Sequence, residues 1–149
     1  MSSVRSVFSL LLTTAFLLTG HGIHMTFLPL MASDIGLSQT VIGISGSAYF
    51  AGLISGAMVT PHIIAKVGHI RSFTTLMAVF LCCFQVLPMT DSSVMWILVR
   101  FLLGAVMCGA YTVVESWLSD QADASAHGRV LGIYTLVVLG AMALGQGLL

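Results

Sequence analysis

Charged residues are scarce in this chain of 149 residues, and that scarcity is incompatible with a water-soluble domain. Only 7% of the residues are Asp, Glu, Lys or Arg, whereas 58% are hydrophobic. A soluble domain carries about 25% charged residues, so this chain could not cover its own surface in water. The formal net charge is zero, which argues against the basic surface that nucleic-acid binding requires. We therefore expect the apolar residues to face a lipid bilayer.

Two other scarce residue types narrow the functional classes. The three cysteines, Cys82, Cys83 and Cys108, lie in apolar runs without a C-x-x-C spacing, so we expect them to pack rather than bind a metal. The sequence contains no Asn and hence no N-glycosylation site. No nucleophile–base pair or metal cluster stands out, which disfavours a membrane enzyme, and no cofactor is predicted.

Five long apolar runs are the dominant pattern that remains. A transmembrane helix needs about 20 apolar residues, and continuous rather than alternating apolar character favours helices over a β-barrel. The first run is too long for the core of a signal peptide, so we expect a retained span. The sequence predicts an all-α, multi-pass transmembrane bundle forming one domain over residues 1–149. Its spans are predicted at 7–31, 40–63, 72–88, 94–118 and 129–149.

The cations outside the spans predict the orientation of the chain. Arg5, Lys66, Arg71 and Arg129 fall in segments that five spans place on one side of the membrane, and the opposite loops contain no Lys or Arg. Loops rich in Lys and Arg stay in the cytoplasm. The N-terminus is therefore predicted to be cytoplasmic, and the chain is predicted to lie in the cytoplasmic (inner) membrane.

Arg100 is the clearest functional candidate, because it interrupts the fourth predicted span about six residues from its start. An Arg near the bilayer centre costs about 2.5–3.5 kcal/mol on insertion scales. That cost is tolerated where the side chain faces a wet cavity or a partner, or where it snorkels to the membrane surface. Both readings stay open at this point, and the first makes Arg100 a residue of a substrate or proton cavity.

Four further polar side chains within the spans are weaker candidates for the same cavity. His21 and His24 share one helical face of the first span, at i and i+3. Histidine titrates near neutral pH and suits a proton relay or a substrate hydrogen bond; the alternative is a pair of satisfied interfacial histidines. Tyr49 and Tyr111 fit a path through the bundle, although aromatic packing explains such residues more often.

Small residues in the second, fourth and fifth spans predict close helix packing. Helix backbones approach closely in lipid where small residues repeat every four positions. The alternative is that these helices slide or rock during a transport cycle. The predicted packing residues are Ala48, Gly52 and Gly56 in the second span, Gly104, Ala105 and Gly109 in the fourth, and Gly140, Ala141 and Gly145 in the fifth.

Glu115 lies at the predicted cytoplasmic end of the fourth span. Fifteen residues separate it from Arg100, about 22 Å along a helix, so the two cannot pair. Lys66, Arg71 and Arg129 lie on the same predicted side of the membrane as Glu115. We predict a cytoplasmic gate in which Glu115 pairs with one of these cations, Arg71 in the favoured version. A solvated interfacial carboxylate is the alternative.

The segment at residues 61–71 lies between the second and third spans and resembles a loop signature of the major facilitator superfamily, roughly G-x-x-x-D-R-x-G-R-R. Lys66 and Gly68 match the basic residue and the second glycine, and Arg71 matches a trailing cation. The segment departs from the signature at the first glycine, the acidic residue and one arginine, where it has Pro61, Ala65 and His69.

Two further elements strengthen this resemblance. The run from Arg100 to Gly104 is similar to the R-x-x-x-G element of the family, whose arginine faces the central cavity and is often tied to proton coupling. Residues 115–120 precede Gly128, Arg129 and a glycine-rich fifth span. In order and spacing, these elements resemble a bacterial subgroup of mostly uncharacterised facilitator-type transporters.

The resemblance implies a secondary active transporter that moves a small solute by alternating access, with proton coupling as a further expectation. Its first and fourth helices would line the cavity, and its second and fifth would lie between the two halves. A complete member has about twelve spans in two halves, so we expect this chain to be a truncated N-terminal portion that needs the C-terminal half as its partner. The alternative is a small membrane scaffold or accessory subunit that binds its partner through the small residues of the second span.

Overall fold

The computed structural model describes residues 2–121 and 127–148, with side chains from 8 to 120 and from 128 to 148. These residues form helices and no strand, which confirms the predicted all-α class. The element order is α1 (Ser2–Asp34), α2 (Gln39–Val67), α3 (His69–Val86), a 3-10 helix (Leu87–Met89), α4 (Ser93–Gln121) and α5 (His127–Gly147).

Five helices in the described residues are long and apolar enough to cross a membrane. Several extend beyond the apolar runs that predicted them, because backbone hydrogen bonding continues into the polar flanks whereas an apolar run marks only the lipid-facing part. Leu149, the last residue of the fifth predicted span, and the Arg5 side chain lie outside the described residues. The membrane-crossing segments are Phe8–Asp34, Gln39–Val67, His69–Met89, Ser93–Asp120 and Gly128–Gly147.

The link between α2 and α3 is a single residue, Gly68. Its φ of 82° and ψ of 169° lie in a region that side chains exclude, so glycine is needed there. The amide of Gly68 donates to the carbonyl of Ile64 (2.8 Å), and its own carbonyl accepts from the hydroxyl of Ser72 (2.7 Å). These bonds satisfy backbone groups at the junction of the two helices.

Hydroxyl side chains within the helices are satisfied by the preceding turn. Thr14 donates to the carbonyl of Leu10 (2.8 Å), and Thr112 donates in the same way to Cys108 (2.9 Å). A bilayer core holds no water for such groups, so a partner on the same helix lets Ser and Thr reside in a span.

Helix α4 is the most buried of the five spans. More than half of its apolar window is buried, against 28% or less for each other span. Trp96 anchors its first turns, because its buried indole donates to the carbonyl of Thr90 (2.9 Å). The chain divides into two compact units. The central unit is Ala32–Val113, and the terminal unit comprises the described residues of Met1–Met31 and Val114–Leu149.

Candidate functional site

The central unit buries a cation against an aromatic face. The guanidinium carbon of Arg100, on α4, lies 5.0 Å from the ring centroid of Tyr49, on α2. Arg100 is 6% exposed and Tyr49 is 4% exposed. A guanidinium within about 6 Å of a ring centroid is attracted by the ring quadrupole, most strongly when both groups are desolvated. This burial favours the partner reading of Arg100 over snorkelling, which would leave the charge at the surface.

Glycines bring α2 and α4 into backbone contact at the level of this pair. A methyl group added at Gly104 would overlap the carbonyl oxygen of Tyr49, and one added at Gly52 would overlap the carbonyl oxygen of Phe101. The contact is therefore closed to any residue with a Cβ unless a backbone shifts. Because Gly104 meets the backbone of Tyr49 itself, the same approach that closes the helix contact also brings the aromatic ring beside Arg100.

The contact continues along both helices toward the end of α2. A methyl group at Gly56 would overlap the carbonyl oxygen of Ala105, and one at Gly109 would lie 2.8 Å from the hydroxyl oxygen of Thr60. Ala48, one turn before Gly52, is half-buried. The predicted small residues of α2 and α4 thus lie on facing sides of one helix pair within the central unit.

The terminal unit buries two histidines on one face of α1. His21 and His24 are each 3% exposed, and their ring centroids lie 6.2 Å apart with the planes inclined at 40°. The i, i+3 spacing seen in the sequence places them on the same side of the helix. They are buried in the helix bundle and do not lie at an exposed end of α1.

A second glycine contact joins α1 and α5 next to these histidines. A methyl group added at Gly22 would lie 2.5 Å from the carbonyl oxygen of Met142 and 3.2 Å from the Cα of Gly145. One added at Gly145 would overlap the carbonyl oxygen of Thr19. Gly22 was not among the predicted packing residues, since it has no Gly, Ala or Ser at four-residue spacing within α1.

Gly140, also a predicted packing residue, is exposed, and no described atom lies within 4 Å of a methyl group placed there. Helical geometry explains its position. At about 100° per residue, Gly140 lies about 140° around α5 from Gly145, whereas Ala141 lies only about 40° away. Within the described chain, Tyr134, Ala141 and Gly145 form the buried side of α5.

The residues of the predicted cytoplasmic gate lie at helix ends. Lys66, Gly68 and Arg71 are exposed around the α2–α3 link, and Glu115 and Arg129 are exposed on α4 and α5. Among the described residues of the central unit, neither Lys66 nor Arg71 forms an ion pair. The predicted pairing of Arg71 with Glu115 joins residues of the two different units and stays a prediction.

The remaining predictions concern Tyr111 and metal binding. Tyr111 is half-buried, and its side chain lies close enough to that of Tyr49 for the two to interact electrostatically, so it belongs to the surroundings of the Arg100–Tyr49 pair. The described residues contain no group of three or more His, Cys, Asp or Glu side chains that could hold a metal ion. Sequence reasoning did not predict a role for Trp96. The available signal was a single tryptophan close to the start of a predicted helix.

Comparison with known proteins places these helices in a family. A family model described as Major Facilitator Superfamily matches residues 10–149. The chain is 29% identical over 147 residues to proteins named "Uncharacterized MFS-type transporter YcaD" from Escherichia coli strain HS, strain K12 and O157:H7 strain EC4115.

The alignment covers 98% of this chain but only 38% of those relatives, so the chain spans well under half of their length. No solved structure matches the chain. The family match covers nearly the whole sequence, and five described helices are able to cross a membrane. The chain therefore belongs to the major facilitator superfamily and is a multi-pass membrane protein.

Proposed function

We propose that this chain forms part of a secondary transporter that moves a small solute across the cytoplasmic membrane by alternating access. The observation that carries the proposal is the burial of Arg100 against Tyr49 inside a membrane span. An ionisable group within a span is costly and most often serves a substrate or proton pathway. Membership of the major facilitator superfamily and relatives named as transporters support the same function.

In this proposal Arg100 is the cation of the cavity. It binds either an anionic group of the solute or a carboxylate that carries the coupled proton. His21 and His24 serve as cavity hydrogen-bonding groups, because a neutral imidazole carries both a donor and an acceptor. Alternating access requires a second half that rocks against this one, so the transport unit includes a C-terminal half.

The proposal includes a cytoplasmic gate and an orientation. Lys66, Gly68, Arg71, Glu115 and Arg129 lie at helix ends, where cations follow the rule that positive loops stay inside. Arg71 and Glu115 form the gate pair in the inward-closed state. Fusions to alkaline phosphatase and to green fluorescent protein at the N-terminus test the orientation: fluorescence without phosphatase activity is expected, and the reverse pattern would contradict it.

The scaffold alternative needs the small-residue side of α2 as a free partner surface. Gly52 and Gly56 are buried, and methyl groups placed there would overlap carbonyl oxygens of α4. That side of α2 is therefore occupied within the central unit, which favours the transporter over the scaffold.

The full-length protein reconstituted in liposomes tests the transport function. Rapid application of small solutes, including mono- and dicarboxylates and sugar phosphates, is expected to give a transport current or uptake for at least one of them. Replacing Arg100 with Ala abolishes that signal, because the cavity loses its cation, while protein yield and reconstitution stay unchanged. Uptake at the native rate by the Arg100→Ala protein would refute the assigned role.

A further inference from the structure

We propose that Tyr49 is the positioning residue for Arg100, holding its guanidinium by a cation–π contact rather than contacting the solute itself. The contact is direct: the guanidinium carbon lies 5.0 Å from the ring centroid of Tyr49. The proposal goes beyond the transport function and rests on it only for the role of Arg100 in the cavity.

Burial makes the ring face an effective partner for this charge. Tyr49 and Arg100 are 4% and 6% exposed, so little water screens their attraction. Cation–π contacts strengthen when the cation is desolvated, and Arg also stacks on aromatic faces through its planar guanidinium. The arginine side chain has several rotatable bonds, and a ring on one side removes part of that freedom.

The backbone around Tyr49 fixes the ring. The carbonyl of Tyr49 lies against Gly104, and the next turn of α2 lies against Phe101 through Gly52. Phe50 contacts the Tyr49 ring edge-on, with centroids 5.8 Å apart. The ring position is thus set by the α2–α4 contact, so a movement of α2 against α4 would move the guanidinium with it. Tyr49 would therefore couple the position of the guanidinium to the α2–α4 contact, which simple aromatic packing does not require.

A fluorination series at position 49 tests this without a solute. Phenylalanines bearing zero, one, two and three ring fluorines are incorporated in place of Tyr49 in the full chain, and thermal unfolding in detergent is followed. Fluorine withdraws charge from the ring face with little change of shape. We expect the unfolding temperature to fall stepwise, by about 2–4 °C in total. The same series in an Arg100→Gln background is expected to be flat.

Phe16 provides the matched control. It lies on α1 and is 74% exposed, so the same series at position 16 is expected to leave the unfolding temperature unchanged. Tyr49→Phe without fluorine keeps the ring face and retains most of the stability, whereas Tyr49→Leu loses it. A flat series with Arg100 present, or equal slopes with Arg100 and Gln, would overturn the positioning role.

The two proposals fail separately. A flat fluorine series contradicts the role of Tyr49 and leaves the transport result for Arg100→Ala untouched. Unchanged transport by Arg100→Ala contradicts the cavity role of Arg100 and leaves the fluorine slope as it is.

Discussion

Two helix contacts in this chain use glycine to different extents, and each lies beside a different polar group. In the central unit, α2 and α4 meet through Gly52, Gly56, Gly104 and Gly109, next to Arg100. In the terminal unit, α1 and α5 meet through one glycine from each helix, next to the histidine pair. The α2–α4 contact, which has more glycines, lies beside Arg100. Arginine is harder to neutralise than histidine.

The difference follows from the cost of each group in lipid. Arginine keeps its charge, and placing it in a span costs about 2.5–3.5 kcal/mol. Histidine can enter the membrane in its neutral form, so the free-energy cost of placing it in a span is smaller. A helix contact in lipid gains its stability from close packing, since no hydrophobic force joins the helices. Four glycines on one helix pair supply more of that packing than two.

The largest expected effect comes from Gly52→Ala. The added methyl overlaps the carbonyl of Phe101, so α2 and α4 must separate, and we expect a loss of about 3 kcal/mol in unfolding free energy. Gly43→Ala is the matched control on the same helix, because nothing lies within 4 Å of its new methyl and alanine favours the helix by about 1 kcal/mol. Thermal unfolding in detergent measures both variants. Equal melting temperatures would contradict the claim that the α2–α4 contact excludes a methyl group at position 52.

Gly145→Ala tests the smaller contact. We expect a loss of about 2 kcal/mol, because the methyl overlaps the carbonyl of Thr19 but the contact involves fewer glycines. Gly140→Ala, on the exposed side of α5, is expected to be neutral or slightly stabilising. If Gly145→Ala proves more harmful than Gly52→Ala, the ranking of the two contacts is wrong.

Gly68→Ala separates the two reasons why a glycine is needed in this chain. One is a backbone conformation that side chains exclude, and the other is close contact between helices. No described atom lies within 4 Å of a methyl group at Gly68, but its φ is 82°, so the cost is conformational and about 1 kcal/mol. Gly132 is the control, since its φ is unexceptional and it also has open space. Chemical unfolding is expected to show a loss for the first variant and a gain for the second. A gain at both positions would show that the α2–α3 link tolerates a side chain.

Composition was sufficient to predict the fold class. Too few charges to cover a soluble surface, together with five apolar runs, required helices in lipid, and the described helices confirm this. The glycine spacing in α2 also indicated a side for close packing. The spacing alone could not identify the partner helix, because a helix side lined by small residues can pack against any of several neighbouring helices.

The candidate site was less accessible from the sequence. Arg100 stood out because a cation in an apolar run is conspicuous. The role of Tyr49 did not, since a tyrosine in a span has many ordinary uses and fifty-one residues separate it from Arg100. Gly22 was missed because its partner, Gly145, belongs to a distant helix. Contacts between helices that are far apart in the chain leave no periodic signal.

The account depends on α2 and α4 being in backbone contact, and solid-state NMR of the uniformly labelled chain in lipid bilayers tests this directly. Once the spectrum is assigned, cross peaks joining the Cα atoms of Gly52 and Gly56 to Ala105 are expected. Cross peaks from these glycines to their own helix alone, with none to Ala105, would contradict the contact and with it the placement of Tyr49 beside Arg100.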